Sequence, residues 1–476
     1  MPDPTRIENF GRNVKFSPAQ IFAPKSETEL LQILDKHPNE SFRVGGSLHA
    51  WSELAKTDCV FIDLRNISDV SVESVDGRQI ASVGGGCTVH NLLRELRTNY
   101  DLTMPTVGLI DKQTIAGAIS TGTHGSGRHS LSHYVRSIRI AMFDQTTGRS
   151  TIQTIDGGTA LRAARCSLGC MGVIVSVSFE VRPTYNIEEV SKRVPSVRAA
   201  IDLEADYPLQ QFYLLPWSWQ LFTHSRRESE ADRSWHAPIY RWHWLLGIDI
   251  GLHLLICLMS RTLRNASITK FFYRHVMNRL LMTNWRVVDR SDKALTMEHA
   301  LFRHIEIEIF VIADKLEETV DFAQGLLELL GGQTNQLPQR WADQLEAVDL
   351  LEPVLSLHAT YTHHYPICIR KVLPDDTSIS MASGAVPRYA LSFISYARPH
   401  DRSSFHAFAD LLAYSTAELL SARPHWGKVC PLDNETLNSL YEDLPEFRRS
   451  CRERDPSGQF ANQWTQNHLQ LVHCQD

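Results

Sequence analysis

The sequence predicts an α+β protein of two or three domains. Its 476 residues are more than one compact core usually holds. Hydrophobic residues make up 43% of the chain and charged residues 21%, which excludes a disordered chain, a collagen-like fibre and a small disulfide scaffold. Period-two apolar runs typical of strands occur together with helical stripes, and these elements are considered in order below.

The charge and the cysteines exclude several classes of function. Lys and Arg total 48 against 54 Asp and Glu, and a net charge of −6 leaves no electrostatic footprint for nucleic acid. Nine scattered cysteines form no CxxC motif, and the close pair Cys166 and Cys170 lacks the partners of a zinc site. Residues 1–8 show no signal-peptide pattern. We therefore expect reduced thiols, a cytoplasmic location, no metal and no nucleic-acid partner.

Short strands, helices and glycine turns alternate in the first third of the chain. Ser26 and Glu29 form a capping box in front of a helical stripe, and Thr88 is expected to cap a second helix. Strands are expected at residues 42–46, 59–64 and 79–83. Glycines follow the first and third of these strands, so each strand enters a glycine turn.

Two longer period-two runs, at residues 138–142 and 173–181, are the clearest strands. Pro183 follows directly, so we place the first domain boundary near Thr184. Further along, we expect strands at residues 305–309 and 390–396, and helices at residues 320–330 and 405–422. A strand at 305–309 would project Glu306 and Glu308 from one face, roughly 7 Å apart.

An apolar segment at residues 242–260 complicates the interpretation as a soluble protein. Its length approaches that of a membrane span, and tryptophans lie at one end. Asp249 near its middle, flanked by His243 and His253, would be costly inside a bilayer. We favour a packed helix, with peripheral docking on a membrane surface as the second interpretation and a true span as the third.

Four further motifs could carry chemistry. The stretch from Thr114 to Gly127 is rich in Gly, Ser and Thr, which lets backbone N–H groups approach a pyrophosphate, although an ordinary turn has the same composition. It lacks the GxGxxG context of a doubly wound nucleotide fold. His49 after a glycine turn, Lys428 in a closing turn and the Glu306–Glu308 pair each have an ordinary structural or solvated interpretation when taken alone.

These motifs occur together and in order, and in that order they resemble one family. The carrying residues are Gly46-Ser-Leu-His-Ala-Trp-Ser-Glu-Leu-Ala55, Pro105, Gly108, Gln113-Thr-Ile-Ala-Gly117, Thr121-Gly-Thr-His-Gly-Ser-Gly127, Cys166-Ser-Leu-Gly-Cys-Met-Gly-Val-Ile174, Asp289-Arg-Ser-Asp-Lys293 and Pro424-His-Trp-Gly-Lys428. They resemble the sugar-1,4-lactone oxidases (L-gulonolactone, D-arabinono-1,4-lactone and alditol oxidases) of the vanillyl-alcohol-oxidase superfamily. The resemblance extends from about residue 14 to about residue 464 and is weakest at residues 190–285.

The resemblance implies a two-subdomain, PCMH-type FAD-binding domain at residues 14–183. A cap domain at 184–422 would carry an antiparallel sheet flanked by helices, and residues 423–476 would return to the FAD domain. His49 falls where the family joins histidine to the 8α-methyl carbon of FAD, so a covalent flavin is expected. The implied FAD-binding residues are Gly45, Gly46, Ser47, Leu48, His49, Ala50, Pro105, Gly108, Gln113, Thr114, Gly117, Thr121, Thr123, His124, Gly125, Gly172, Ile174 and Lys428.

The same resemblance implies the reaction. An alcohol carbon of a sugar-1,4-lactone or similar polyhydroxylated molecule gives hydride to flavin N5, with Glu306 and Lys428 as catalytic residues. The implied substrate contacts are Thr114, Glu306, Glu308 and Ser392. Glycine at position 108 implies access of oxygen to the flavin, so O2 is the expected acceptor and hydrogen peroxide the expected product.

Departures from the family pattern leave two alternatives open. Glu308 stands where alditol oxidases have arginine, and Ser392 and Ile394 stand where they have a His-x-Thr pair. Glutamate at position 308 is closer to the lactone-oxidase pattern, so these differences argue against polyol binding of the alditol type. The apolar segment at residues 242–260 favours a non-sugar or lipid-linked substrate in secondary metabolism as the first alternative. A catalytically inactive flavin-fold binding protein is the second.

Overall fold

A computed structural model describes residues 6–296 and 303–471; Cys474 therefore lies outside the described residues. The N-terminal part contains a parallel sheet of Gln20–Phe22, Val60–Asp63 and Phe42–Gly45 in that order, and a small ribbon of Ile7–Glu8 and Lys15–Phe16. Its second sheet is antiparallel and runs Ser150–Ile155, Val135–Phe143, Val173–Pro183, Arg78–Gly84 and Val70–Val75, with Leu102–Thr103 beside Val173–Pro183.

The predicted caps begin the helices of this part. Ser26 Oγ accepts from Glu29 N at 3.2 Å, and Thr88 Oγ1 accepts from Asn91 N at 3.2 Å, so each satisfies a free helix N–H group. The helices are Glu27–Lys36, Val89–Tyr100, Ile115–Ser120 and Gly158–Ala164, with short 3₁₀ turns at Glu53–Ala55, Leu64–Asn66 and Leu131–Tyr134. The predicted strands and helices of this third of the chain are confirmed, but the capping box is not, because Glu29 Oε2 accepts from Lys25 N at 2.7 Å and not from Ser26 N.

An eight-stranded antiparallel sheet dominates the rest of the chain. Its order is Arg286–Arg290, Asn186–Val194, Leu221–Ser229, Gln211–Leu214, Ile367–Val372, Arg388–Ser395, Ile305–Ile312 and Arg423–Pro424. Ile305, Ile307 and Ile309 are fully buried on one face, in a core that also contains residues of helices Leu316–Leu330 and Ser403–Leu420. Further helices are Val197–Asp202, Ser291–Ala294, Gln339–Glu346 and Leu351–Ser356, and 3₁₀ turns lie at Leu203–Ala205, Ala313–Lys315 and Pro399–Asp401.

The C-terminal segment packs against the N-terminal part. Its helices are Asn434–Leu440, Leu444–Arg454 and Gln463–Leu469. Phe42 N donates to Gln459 O at 2.7 Å, and Asn462 Nδ2 donates to Leu54 O at 3.3 Å. One continuous hydrophobic core therefore joins residues from Leu30 to Leu471.

The apolar segment is part of a helical hairpin. Its first helix, Ala237–Leu263, contains 27 residues with wide π-type turns at Trp244–Leu252 and Leu258–Leu263, and by length and composition it could cross a membrane. Helical turns at Ala266–Phe271, Phe272–Val276 and Met277–Leu280 follow. Only 28% of the most apolar 18-residue window of helix Ala237–Leu263 is buried. The helix that we expected to be packed is therefore packed on one side only.

Candidate active site

A cleft lies where the Gly45–Ala50 turn, the helix Ile115–Ser120 and the turn before strand Val173–Pro183 meet. Its lining includes the predicted residues Gly45, Gly46, Ser47, Leu48, His49, Ala50, Gln113, Thr114, Gly117, Thr121, Gly172, Ile174 and Lys428. A Cβ at Gly46 would lie 2.3 Å from Thr114 Oγ1, so this turn approaches the helix too closely for a side chain. The small residues therefore let two backbone segments come together around the cleft.

His49 carries an unsatisfied nitrogen in this cleft. Its ring stacks on Phe10 with centroids 4.8 Å apart, and its Nδ1 atom is buried without a hydrogen-bond partner within residues 6–296 and 303–471. Burial, assisted by the charge of Lys428, lowers the pKa of His49 to about 4. The imidazole is therefore neutral at pH 7, with the lone pair that a nucleophile needs.

A second, smaller pocket adjoins the cleft beneath the eight-stranded sheet. Glu306 lies there and is 4% exposed, so the solvated interpretation of the Glu306–Glu308 pair is wrong. Lys428 Nζ donates to Glu306 Oε2 and lies 4.1 Å from the centroid of the Trp51 ring. The carboxylate and the aromatic face together hold this ammonium in place.

Glu308 belongs to a buried polar network in the same pocket. Its Oε1 accepts from Arg370 Nη2 at 2.5 Å and from Ser392 Oγ at 2.8 Å, and His124 Nε2 lies 3.4 Å away. Burial acts to raise the pKa of Glu308, but Arg370 and His124 overcome it and hold the pKa well below its usual range. Glu308 is therefore an anion whose charge is balanced by the protein itself.

Three residues line both the cleft and the pocket: Gln113, His425 and Lys428. His425 Nδ1 accepts from Gly427 N at 2.9 Å, and burial lowers the pKa of His425 to about 3. The ring is therefore neutral with its proton on Nε2. A group bound in the cleft and a molecule bound in the pocket would meet at these three side chains.

Comparisons with known proteins identify the family. The family model for D-arabinono-1,4-lactone oxidase matches residues 177–468, and that for an FAD-binding domain matches residues 18–147. The chain belongs to the D-arabinono-1,4-lactone oxidase family. It is an FAD-dependent oxidoreductase that acts on CH–OH groups with oxygen as acceptor.

Individual relatives differ in the substrate that they are named for. A long-chain alcohol oxidase of an uncultured marine euryarchaeote is 46% identical over 459 residues, covering 96% of each chain. An L-gulonolactone oxidase of Bos taurus is 23% identical, covering 96% of each chain. The fold is that of a cholesterol oxidase from Brevibacterium sterolicum, with a TM-score of 0.74 at 13% identity over 98% of this chain and 99% of that one.

The residues of the cleft fit FAD. A glycine turn that admits no Cβ, a neutral buried imidazole and a fixed ammonium are what the family's cofactor requires of its site. Bound there, FAD would be held by the Gly45–Ala50 turn and the Thr114–Thr121 segment, beside His49 and Lys428. The expected two-subdomain FAD domain and cap sheet are confirmed as the fold class of the lactone oxidase family.

The other predicted site residues do not all line the cavity that was expected for them. Gly108, Thr123 and His124 line the smaller pocket and not the cleft, whereas Thr114 lines the cleft and not the pocket. Gly125 lies in a small cavity behind them, and the Pro105 carbonyl accepts from Arg128. A Cβ at Gly108 would lie 2.6 Å from Thr123 Cγ2, so a larger residue here would displace the Thr123 side chain, whatever its effect on the access of oxygen.

Several charged or titratable groups of the pocket were not predicted from the sequence: Arg370, His425, His304, Tyr365, Cys368 and Tyr396. Arg370 lies at an inward position of strand Ile367–Val372, and a lone arginine in an apolar strand was the available signal. His425 lies inside a quoted motif of which only Lys428 was singled out. Ligand atoms of His124, Glu308 and His425 lie within 4.8 Å of one another, a spacing that could hold a metal ion, but Arg370 already supplies a cation to Glu308.

Proposed function

We propose that this protein oxidises the CH–OH group of an alcohol whose remaining part is apolar, with O2 as acceptor and hydrogen peroxide as product. The observation that carries the proposal is the pairing of the pocket's charges. Glu306 pairs with Lys428 and Glu308 with Arg370, so the acidic side chains of the pocket are already satisfied by the protein. Such a pocket suits a neutral substrate with one reacting hydroxyl.

Gln113, Thr123, His124 and His304 add polar groups to the lining, but one part of the pocket wall is apolar or aromatic. It is formed by Leu109, Ile110, Tyr365, Ile394 and Tyr396. Ile394 stands where polyol-binding relatives were expected to carry a hydroxyl residue, so it removes a hydrogen-bonding group from the wall. The relative that shares 46% of its residues with this chain is named a long-chain alcohol oxidase, which supports an apolar substrate.

The chemistry is divided between the cofactor and three side chains. Bound FAD supplies the hydride acceptor, which O2 reoxidises. Glu306 accepts the hydrogen bond of the reacting hydroxyl and orients the carbon, and the hydroxyl proton leaves along this bond. Lys428 stabilises negative charge developing on the same oxygen, and the Nε2–H of His425 is a second donor at the junction of cleft and pocket. The alcohol loses one hydride and one proton and becomes a carbonyl compound.

A sugar-1,4-lactone or similar polyhydroxylated substrate is the second candidate. The matched family model and the lactone-oxidising relatives favour it. Glu308, Ser392 and Arg370 also form a polar wall opposite the apolar one. Because these three groups already bond to one another, a polyol would have to compete with an internal network, which is why we rank this candidate second.

We further infer that FAD is attached covalently through His49. The neutral ring and the unpartnered Nδ1 atom of His49 support the attachment. We place the protein in the cytoplasm, because all eight cysteines within the described residues are free thiols. Peripheral membrane association through residues 242–260 is a further part of the proposal, and its surface is argued in the next subsection.

Peroxide production by the holoenzyme tests the substrate class. We expect kcat/KM to rise along a series of primary alcohols by roughly a factor of four for each added CH2 until the pocket is filled. L-gulono-1,4-lactone and D-arabinono-1,4-lactone should be poor substrates. A higher kcat/KM for either lactone than for every alcohol would overturn the first candidate in favour of the second.

Replacing the pocket ammonium tests the site itself. K428M should lower kcat/KM by about 100-fold or more, because a fixed cation at the developing oxyanion is lost. K56M is the matched control, since Lys56 is an exposed lysine paired with Glu53 at 2.9 Å. Equal activity of K428M and K56M on the best alcohol would refute the assignment of Lys428.

A further inference from the structure

The helical hairpin of residues 235–286 carries most of the exposed apolar surface of the described chain. Of fifteen large hydrophobic side chains exposed within residues 6–296 and 303–471, eleven lie in it. They are Trp235, Ile239, Trp242, Leu246, Leu254, Leu258, Leu263, Ile268, Phe271, Leu280 and Met282, and they are 41–84% exposed. A concentration of this kind marks an interaction surface.

The surface is strongly basic although the whole chain is acidic. Residues 235–286 contain seven cations (Arg241, Arg261, Arg264, Lys270, Arg274, Arg279 and Arg286) and a single acidic residue, Asp249. Three of the cations pair with carboxylates of neighbouring segments, Arg241 with Asp289, Arg264 with Asp401 and Arg286 with Glu188, and the other four form no ion pair within residues 6–296 and 303–471. Asp249 is 6% exposed on the inner side, so the outer side presents no carboxylate of its own. Apolar side chains with interspersed cations and tryptophans are the composition of helices that lie in a membrane interface and attract anionic lipids.

The inner side of the hairpin shows that it lies on the protein and does not span a bilayer. Leu252, Ile256 and Met259 are at most 5% exposed, in one core with Phe272 and Tyr273. His253 is 1% exposed, and its Nε2 lies 3.2 Å from Tyr365 Oη. Withdrawing the helix into a membrane core would expose this packed face and bury Asp249 in lipid, which is costly.

The hairpin also touches the substrate pocket. Tyr365 and Tyr396 line the pocket and belong to the hairpin's own hydrophobic cluster. Arg261 Nε donates to the Tyr396 carbonyl at 2.6 Å. Neighbouring strands of the sheet pair Glu308 with Ser392, Ser392 with Cys368, Cys368 with Tyr213 and Tyr213 with Phe222. These five side chains therefore share one face of the sheet, which leads from the pocket to Phe222 in the hairpin cluster.

We propose that the outer face of residues 235–286 docks in the plane of an anionic lipid bilayer and that apolar alcohols pass from the bilayer to the pocket past Tyr365 and Tyr396. The docking stands on the hairpin alone, whereas the delivery of substrate rests on the proposed function. The docked surface would position the enzyme on the bilayer and would take no part in the chemistry, because none of its exposed side chains lines the pocket.

Flotation of the holoenzyme with vesicles tests the docking. Phosphatidylcholine vesicles with about one-quarter phosphatidylglycerol should bind the protein, and binding should weaken with salt and with phosphatidylcholine alone. L254E/L258E should lower binding by about tenfold or more, since two exposed leucines are replaced by charges. I21E/V75E is the matched control, because Ile21 and Val75 are exposed apolar residues elsewhere, and it should bind as the native protein does.

Two further readouts separate the possible failures. In sedimentation velocity the native protein and L254E/L258E should have the same oligomeric state. If the native protein is a dimer and L254E/L258E is a monomer, the face is a contact between two copies and the proposal is overturned. Absence of vesicle binding by the native protein overturns it as well. With a short soluble alcohol, L254E/L258E should keep native activity, and with a vesicle-embedded long-chain alcohol its kcat/KM should fall. Vesicle binding without activity on any alcohol would refute the proposed function and leave the docking intact.

Discussion

At the scale of single residues, the site depends on keeping a few polar atoms in one protonation state. His49 is neutral because it is buried beside a cation, and that neutrality gives it a free lone pair. Glu308 is an anion because Arg370 lies against it. The charges in the pocket are thus fixed by their immediate neighbours.

We predict that the covalent bond between the protein and FAD depends on His49. H49A should release its flavin on acid precipitation, because within residues 6–296 and 303–471 the only other histidine that lines the cleft is His425, whose Nδ1 already accepts a hydrogen bond. Absorbance of the supernatant at the flavin maximum measures the release. H358A, at an exposed position, should keep the colour in the pellet as the native protein does. Release from the native protein itself would contradict the covalent bond.

The Glu308–Arg370 pair is predicted to behave as a unit. R370M should lower the free energy of unfolding by about 3–5 kcal/mol, because it leaves a buried carboxylate without its cation. The double variant R370M/E308Q should recover a large part of that loss, since the uncompensated charge is gone. Urea unfolding of both variants and of E308Q closes the double-mutant cycle, and additive losses would show that the two side chains do not act together.

At the scale of elements, period-two patterning predicted more than helical patterning did. The alternation at residues 305–309 predicted a strand with Glu306 and Glu308 on one face, and strand Ile305–Ile312 confirms it. The burial of that face could not be predicted, because it depends on Arg370, 62 residues away. Local sequence therefore gave the direction of the carboxylates, and only the tertiary structure supplied their counter-ions.

The helix at residues 242–260 shows what composition could not predict. Composition predicted a helix at residues 242–260, but not which side would be packed. Polar residues usually mark the solvent side of a helix, yet Asp249 and His253 face inward and Leu246, Leu254 and Leu258 face outward. A helix with its polar residues inside and its leucines outside is the reverse of a water-soluble surface helix. This inversion is the observation that led us to propose a docking surface.

At the scale of the whole molecule, buried histidines make stability depend on pH. His364 Nε2 accepts from Tyr396 N at 2.8 Å, and burial lowers the pKa of His364 to about 4; His425 has a pKa of about 3 and also accepts a backbone N–H. Each folded pKa lies below the unfolded value of about 6.5, so each histidine contributes stability that is present above pH 6.5 and lost as the pH falls. Asp455 acts in the opposite direction, because burial raises its pKa to about 6.

Together, these titratable groups predict that the folded protein loses stability at acid pH. Between pH 7 and pH 5 His364 and His425 each cost about 2 kcal/mol and Asp455 returns about 1 kcal/mol, so these three groups lower the free energy of unfolding by roughly 3 kcal/mol, and His49, with its pKa of about 4, adds to the fall. H364Q should reduce that pH dependence by about one proton, because the amide oxygen of glutamine can accept from Tyr396 N but does not titrate. H358Q, at an exposed site, should leave it unchanged. Urea unfolding at several pH values measures the slope; a native stability independent of pH in this range would mean that the buried rings accept protons without loss of their backbone hydrogen bonds.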